Sequence, residues 1–320
     1  MGVVNLGFNE KDGWTLTLVL NGYEQEDTFF FVNGAIKNFS VISITLNNYS
    51  IVDSTLNSIL RAILMALHGI TVDKLHITFM ANDTDTFGTQ PIVFPNVKLL
   101  ELSFKNTNIH GPVCPKALDF SNIECGNLVI EVEGNPGRFM QGVPAKLKAN
   151  NRITSLELRL QPIKNVLPEI LDGARNLRQV KVPLALLDSD AIFSLEDRPG
   201  KLDMDFQQLD VTSQLGIRML PVTRYVRVPW RVLERLVILN VKSQKRIDFT
   251  KSQFDPRERD FMQTIEANLE GYLAFASANI VLSRNVGLTS FVGENGDQAL
   301  SRLIFSFLHN PNAVHPNQMP

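Results

Sequence analysis

The chain has 320 residues, 44% of them hydrophobic and 20% charged, with a formal net charge of −2. That is enough for one large domain or two ordinary ones of globular composition, and the near balance of charge argues against general nucleic-acid binding. Its two cysteines, Cys114 and Cys125, exclude a disulfide framework and a four-cysteine zinc site, and read as reduced thiols of an intracellular protein.

The N-terminal MGVVNLGFNEKDGW has neither the basic start nor the apolar run of a signal peptide. Gly2 does not begin a myristoylation motif, because Leu6 stands where Ser or Thr is needed. No apolar stretch approaches the ~18 residues of a membrane span; the best, at 272–282, is too short. Sequons at Asn38, Asn48 and Asn82 read as chance matches in an intracellular chain. GWTLTLVLNG and DTFFFVNG predict two strands within 1–38, an N-terminal β cap.

From residue 39 one pattern recurs, apolar-x-x-apolar-x-apolar: Phe39, Ile42, Ile44; then Val72, Leu75, Ile77; then Val97, Leu100, Leu102. It continues at Cys125, Leu128, Ile130; at Ile153, Leu156, Leu158; and at Leu177, Val180, Val182. Less complete units follow at Leu202 and Met204 and at Val226 and Val228, with Leu233, Leu236 and Ile238 as a closely spaced last one. The second apolar position falls at 42, 75, 100, 128, 156, 180, 202 and 226. All but the first spacing lie in the roughly 20–29-residue period of leucine-rich repeats. At the position where that repeat carries asparagine stand Asn47, Gln161 and Gln207, elsewhere Met80, Lys105, Glu133 and Ala185, so the amide ladder is mostly missing.

Each unit predicts a short strand with one apolar face, which a single strand cannot hide but a parallel stack can. The segments between units predict helical returns: 51–69 with apolar residues at 56, 59, 60, 63, 64 and 67, capped by Asp53 or Ser54 and ended at Gly69; 164–174; and single turns within 186–197 and 211–220. The Gly-rich 132–142 reads as a turn. Charged residues interrupt the strands, as Glu101, Glu157, Lys181, Asp203 and Arg227 do, so one sheet face is expected to be wet. A doubly wound sheet would show near-continuous apolar strands instead. The expected fold is therefore α/β, a solenoid with a curved parallel sheet over 39–243. A C-terminal helical cap is expected over 244–310, its first helix capped by Asp255 with Pro256 in the first turn and a second within 297–310, and 311–320 reads as a tail.

The units VKLLELSFKNTNI and ITSLELRLQPI resemble leucine-rich repeats of the irregular, intracellular type, over about residues 39–241. Such repeats are common in F-box-associated substrate receptors and adaptor proteins. The resemblance implies a non-catalytic adaptor or recognition subunit that binds another protein through the concave sheet face, and more narrowly the recognition part of a ubiquitin ligase. No F-box-like helical segment precedes the repeats in this sequence.

A search for chemistry finds little. The five histidines, His68, His76, His110, His309 and His315, form no HExxH or close pair; there is no GxSxG and no P-loop. Asp203 and Asp205 share a face at i and i+2, and are expected to meet Lys201 or a basic partner. The sequence predicts no catalytic residue, metal site or cofactor, and a cytoplasmic or otherwise intracellular location. The candidate partner-binding residues are His76, Glu101, Glu157, Lys181, Asp203 and Arg227 on the wet face. To these the basic stretch 218–246 adds Arg224, Tyr225, Trp230 and Arg231. That stretch suits an acidic or phosphorylated segment; nucleic acid is the less expected ligand there, and no membrane contact is predicted. A conventional α/β enzyme without a recognisable motif is the alternative from another class.

Overall fold

The computed structural model describes residues 3–9, 13–21, 36–49, 54–81, 91–105, 114, 118–196, 198, 200–208, 226–244 and 246–270. Ten strands among them form one open sheet: β1 (Val3–Asn9), β2 (Gly13–Asn21), β3 (Val41–Tyr49), β4 (Val72–Ala81), β5 (Val97–Lys105), β6 (Cys125–Val132), β7 (Ser155–Arg159), β8 (Gln179–Pro183), β9 (Leu202–Gln207) and β10 (Ile247–Asp248). Every strand lies beside its neighbours in sequence; β1 and β2 pair antiparallel, and β2 through β10 run parallel. The helices are α1 (Ser54–Ala66), α2 (Gly137–Met140), α3 (Val143–Ala149), α4 (Val166–Gly173), α5 (Ser189–Glu196) and α6 (Trp230–Lys242), and residues 256–270 are also helical. No helix among the described residues is long and apolar enough to cross a membrane.

The period-two pattern of the strands becomes rows across the sheet. Leu16, Ile42, Leu75, Leu100, Leu128, Leu156, Val180 and Met204 are successive cross-strand partners, all buried. Leu18, Ile44, Ile77, Leu102, Ile130 and Leu158 make a second buried row. In a third, Phe79 stacks on Phe104 at 4.8 Å between ring centroids, and Phe139 of α2 packs against Phe104 at 4.3 Å. The helical returns cover the same apolar side: α3 packs beside α4 and α4 beside α5. Each fully buried Leu or Ile contributes about 1.5–3 kcal/mol of gross burial, and no strand collects it without its neighbours.

Two polar side chains hold the returns. Buried Asn150 donates from Nδ2 to the Phe120 and Ile123 carbonyls, and its Oδ1 accepts from the Arg152 and Ile153 amides. Buried Arg198 donates at 2.6–2.8 Å to the Leu171 and Ala174 carbonyls at the C-terminal end of α4 and to the Leu177 carbonyl in the turn that follows. The last carbonyls of a helix have no partner within it, and a cation there also meets the negative end of the helix dipole.

GWTLTLVLN forms β2 and pairs in a hairpin with Val3–Asn9, a strand not predicted from sequence, while DTFFFVNG lies outside the described residues. Residues 226–229 form no strand, and 233–241, expected as a last repeat strand, lies inside α6. Its buried residues Val232, Leu233, Leu236, Val237, Leu239 and Asn240 follow a helical period, which the apolar-x-x-apolar spacing also satisfies. Helix α2 stands within 132–142, which reads as a turn from sequence, and α3 follows it where the sequence reading assigned no element. The predicted segments 211–220 and 297–310 lie outside the described residues. By compactness the chain divides into two units, one made of Met1–Val228 with Ile247–Gln253, the other of Pro229–Arg246 with Phe254 onward.

Arg198→Met is expected to lower stability by about 2–4 kcal/mol in urea unfolding, because several buried carbonyls lose a charged donor. Arg198→Lys restores less than half of that loss, since one ammonium nitrogen cannot stand where both Nη1 and Nη2 do.

Candidate functional site

On the polar face of the sheet the register decides which side chains meet. Thr17, Ser43, His76, Glu101, Val129, Glu157 and Lys181 are successive cross-strand partners; His76, Glu101, Glu157 and Lys181 were expected in one row, but the partner after Lys181 is Asp205. Asp203 sits one step back in that direction, opposite Gln179. Arg227 is exposed and outside any strand, so it does not continue the row. A parallel row of polar side chains runs two residues further along: Thr45, Thr78, Ser103, Glu131 and Arg159.

The two rows bond to each other. Glu101, 7% exposed, takes Lys74 Nζ on Oε2 at 3.0 Å and Arg159 Nη1 on Oε1 at 2.7 Å. Arg159 Nε also bonds Glu157 Oε1 at 2.7 Å, and Lys181 Nζ approaches the same oxygen at 3.3 Å. The Arg159 guanidinium thus reaches from β7 to β5 across the strand that carries Val129, and Val129 is buried although it belongs to the polar face. Burial alone would raise the Glu101 pKa; the Lys74 hydrogen bond, with the charges of His76, Lys74 and Arg159, outweighs it and holds the carboxyl below its ordinary value.

Beside this lies a second network. Ser103 Oγ, fully buried, donates to Glu131 Oε2 at 2.6 Å, and His76 Nε2 lies 3.1 Å from both Ser103 Oγ and Thr78 Oγ1. Because Ser103 commits its one proton to Glu131, its oxygen accepts from His76, which assigns the ring proton to Nε2. An activated serine needs the opposite polarity, with its proton going to a histidine lone pair. Burial lowers the His76 pKa, with Lys74 and Lys105 adding to the shift and Glu101 and Glu131 opposing it. The ring is therefore a neutral hydrogen-bonding member of the face at pH 7.

The face was expected to be wet throughout. Its middle is not: Thr78, Glu101, Ser103 and Val129 are all buried. The accessible polar groups lie around them, on Asn127, Arg159 and Gln179, with Lys74, Lys181 and Asp203 part-exposed. The sequence reading omits Lys74, Ser103, Glu131 and Arg159; the period-two rule places Ser103, Glu131 and Arg159 two residues after the polar-face position chosen in their strands and Lys74 two residues before His76.

Of the basic stretch, Arg224 and Tyr225 lie outside the described residues. Trp230 is not a free aromatic: it packs edge-on against Phe261, ring centroids 4.6 Å apart. Arg231 is exposed on α6. Burial pushes the thiols up, Cys125 to about 12 and Cys114 to about 11, so both are poor nucleophiles. Among the described residues no group of three or more histidine, cysteine and acidic side chains could hold a metal ion.

No protein-family model, curated protein or solved structure matches the chain.

With its folded pKa lowered, Glu101 contributes stability that is fully present above the unfolded carboxylate value of about 4.3. That contribution is lost as pH falls through the folded value. Glu101→Gln is expected to cost about 1–3 kcal/mol at neutral pH, and the gap to the unsubstituted protein should close across that acid window. Urea titrations at a series of pH values check this; a gap independent of pH would mean that the charge contributes nothing.

Proposed function

We propose that this chain is a leucine-rich-repeat-like solenoid that acts as a protein-binding adaptor or recognition subunit, with the polar face of its parallel sheet as the docking surface. The observation that carries the reading is the ordered polar face: charged and amide side chains from consecutive strands stand in one register, and the inner ones are fixed by Glu101 and Arg159. Side chains already held in place lose little rotamer freedom when a partner binds. The outer groups, Asn127, Arg159, Gln179, Lys181 and Asp203, retain accessible surface for contacts. Repeat proteins use such extended sheet faces for binding. The recurring units of the sequence and the strictly sequential strand order support the repeat reading.

The test is quantitative capture from lysate of the unsubstituted protein and of a Gln179→Arg, Lys181→Glu, Asp203→Lys variant, all changed at accessible positions. The expected result is one or more partners lost from the variant, with its melting temperature within about 2 °C of the parent. A partner set unchanged by these substitutions would contradict docking on this face.

A further inference from the structure

Helix α6 presents an outward stripe at i, i+4, i+7 and i+11: Arg231, Arg235 and Lys242 exposed, with Ile238 part-exposed among them. Its opposite face is buried. The stripe spans about 16 Å along the helix axis. Among the described residues, none of the three cationic side chains has an ion pair, hydrogen bond or other partner. Glu234, on the flank of the stripe, bonds to none of them.

Lys242, in the last turn, suits the helix dipole, but the amino-terminal half of the stripe works against the helix that carries it. Cations in the first turn oppose the positive end of the helix dipole, yet Arg231 stands there, with no acidic residue in that turn and no side-chain cap from Pro229. Like charges four residues apart, as Arg231 and Arg235 are, cost a few tenths of a kcal/mol more. The helix over 256–270, in the same compact unit, also carries a cation in its first turn, Arg257, but there acidic side chains offset it. Asp255 Oδ1 there accepts from the Arg257 and Glu258 amides at 2.7 and 3.0 Å, and Glu258 Oε2 accepts from the Asp255 amide at 2.9 Å, a complete capping box. Local rules broken without internal compensation are expected where function demands it. An external carboxylate supplies what α6 lacks, both at its amino end and along its side.

We propose that the outward face of α6 docks an acidic segment of a partner protein, whose carboxylates pair with Arg231, Arg235 and Lys242 around an apolar side chain seated on Ile238. The central aliphatic residue favours a peptide over nucleic acid, since a row of phosphates brings no apolar group to cover it. The chain's net charge of −2 further disfavours a long polyanion. The proposal does not depend on the reading of the polar sheet face.

The probe is a short fluorescent peptide with Glu and Asp clusters on either side of one Leu, titrated into the full chain and followed by anisotropy. Its controls are the same peptide with Gln and Asn replacing the acids, and a single-stranded oligonucleotide of equal length. Saturable binding of the acidic peptide is expected, weakened about tenfold or more by Arg231→Glu with Arg235→Glu, and by added salt. Arg231→Gln with Arg235→Gln should show a smaller loss in the same direction, and the Gln179→Arg, Lys181→Glu, Asp203→Lys variant should bind as the parent does. Absence of peptide binding, binding indifferent to both α6 variants, or tighter binding of the oligonucleotide would overturn the proposal.

Discussion

Everything in this sheet depends on one constraint: a strand with alternating side chains has an apolar face that it cannot hide alone. Leu100 and Leu102 of β5 are buried because Leu75 and Ile77 stand on one side of them and Leu128 and Ile130 on the other. A slip of one residue between any two strands would turn a whole apolar set to the polar side. The core therefore selects the register, and the register in turn selects which polar side chains meet on the opposite face. Glu101, Glu157 and Arg159 come together as a by-product of burying leucines.

That coupling gives the polar face its character. Parallel strands lie about 4.8 Å apart, so charges in adjacent strands must alternate, be spaced or be bridged. Here Val129 separates Glu101 from Glu157, and Arg159 then ties the two carboxylates together. The result is a preorganised centre surrounded by accessible groups, which is the physical basis for reading the face as a docking surface.

Much of the sheet was legible in the sequence, and the failures have definite causes. The units at residues 42, 75, 100, 128, 156 and 180 fell in register because each carries two apolar residues at i and i+2 whose partners in the next strand are also apolar. At β9 three apolar residues alternate, Leu202, Met204 and Phe206, so two registers two residues apart satisfy the same pattern; only the pairing with Val180 decides for Met204, and Asp205 replaces Asp203 in the row. In α6 the spacing of Leu233 and Leu236 is compatible with both a repeat unit and a helix turn. Helix α2 was hidden by Pro136, Gly137 and Gly142, which read as turn residues, and α3 had no reading although its Pro144 lies in the first turn, where proline is tolerated. The candidate site was half visible: His76, Glu101, Glu157 and Lys181 were placed correctly, whereas the Arg159 bridge needs the lateral geometry of three strands, which a linear pattern does not contain.

The contact between Glu101 and Arg159 joins residues 58 apart in sequence and exists only if β5, β6 and β7 are parallel neighbours in this register. A double-mutant cycle with Glu101→Gln and Arg159→Met, read by urea unfolding, tests that directly. The register described here predicts a coupling energy of about 1–3 kcal/mol between the two positions. Effects that add to within about 0.3 kcal/mol would contradict it, and with it the alignment of the polar face.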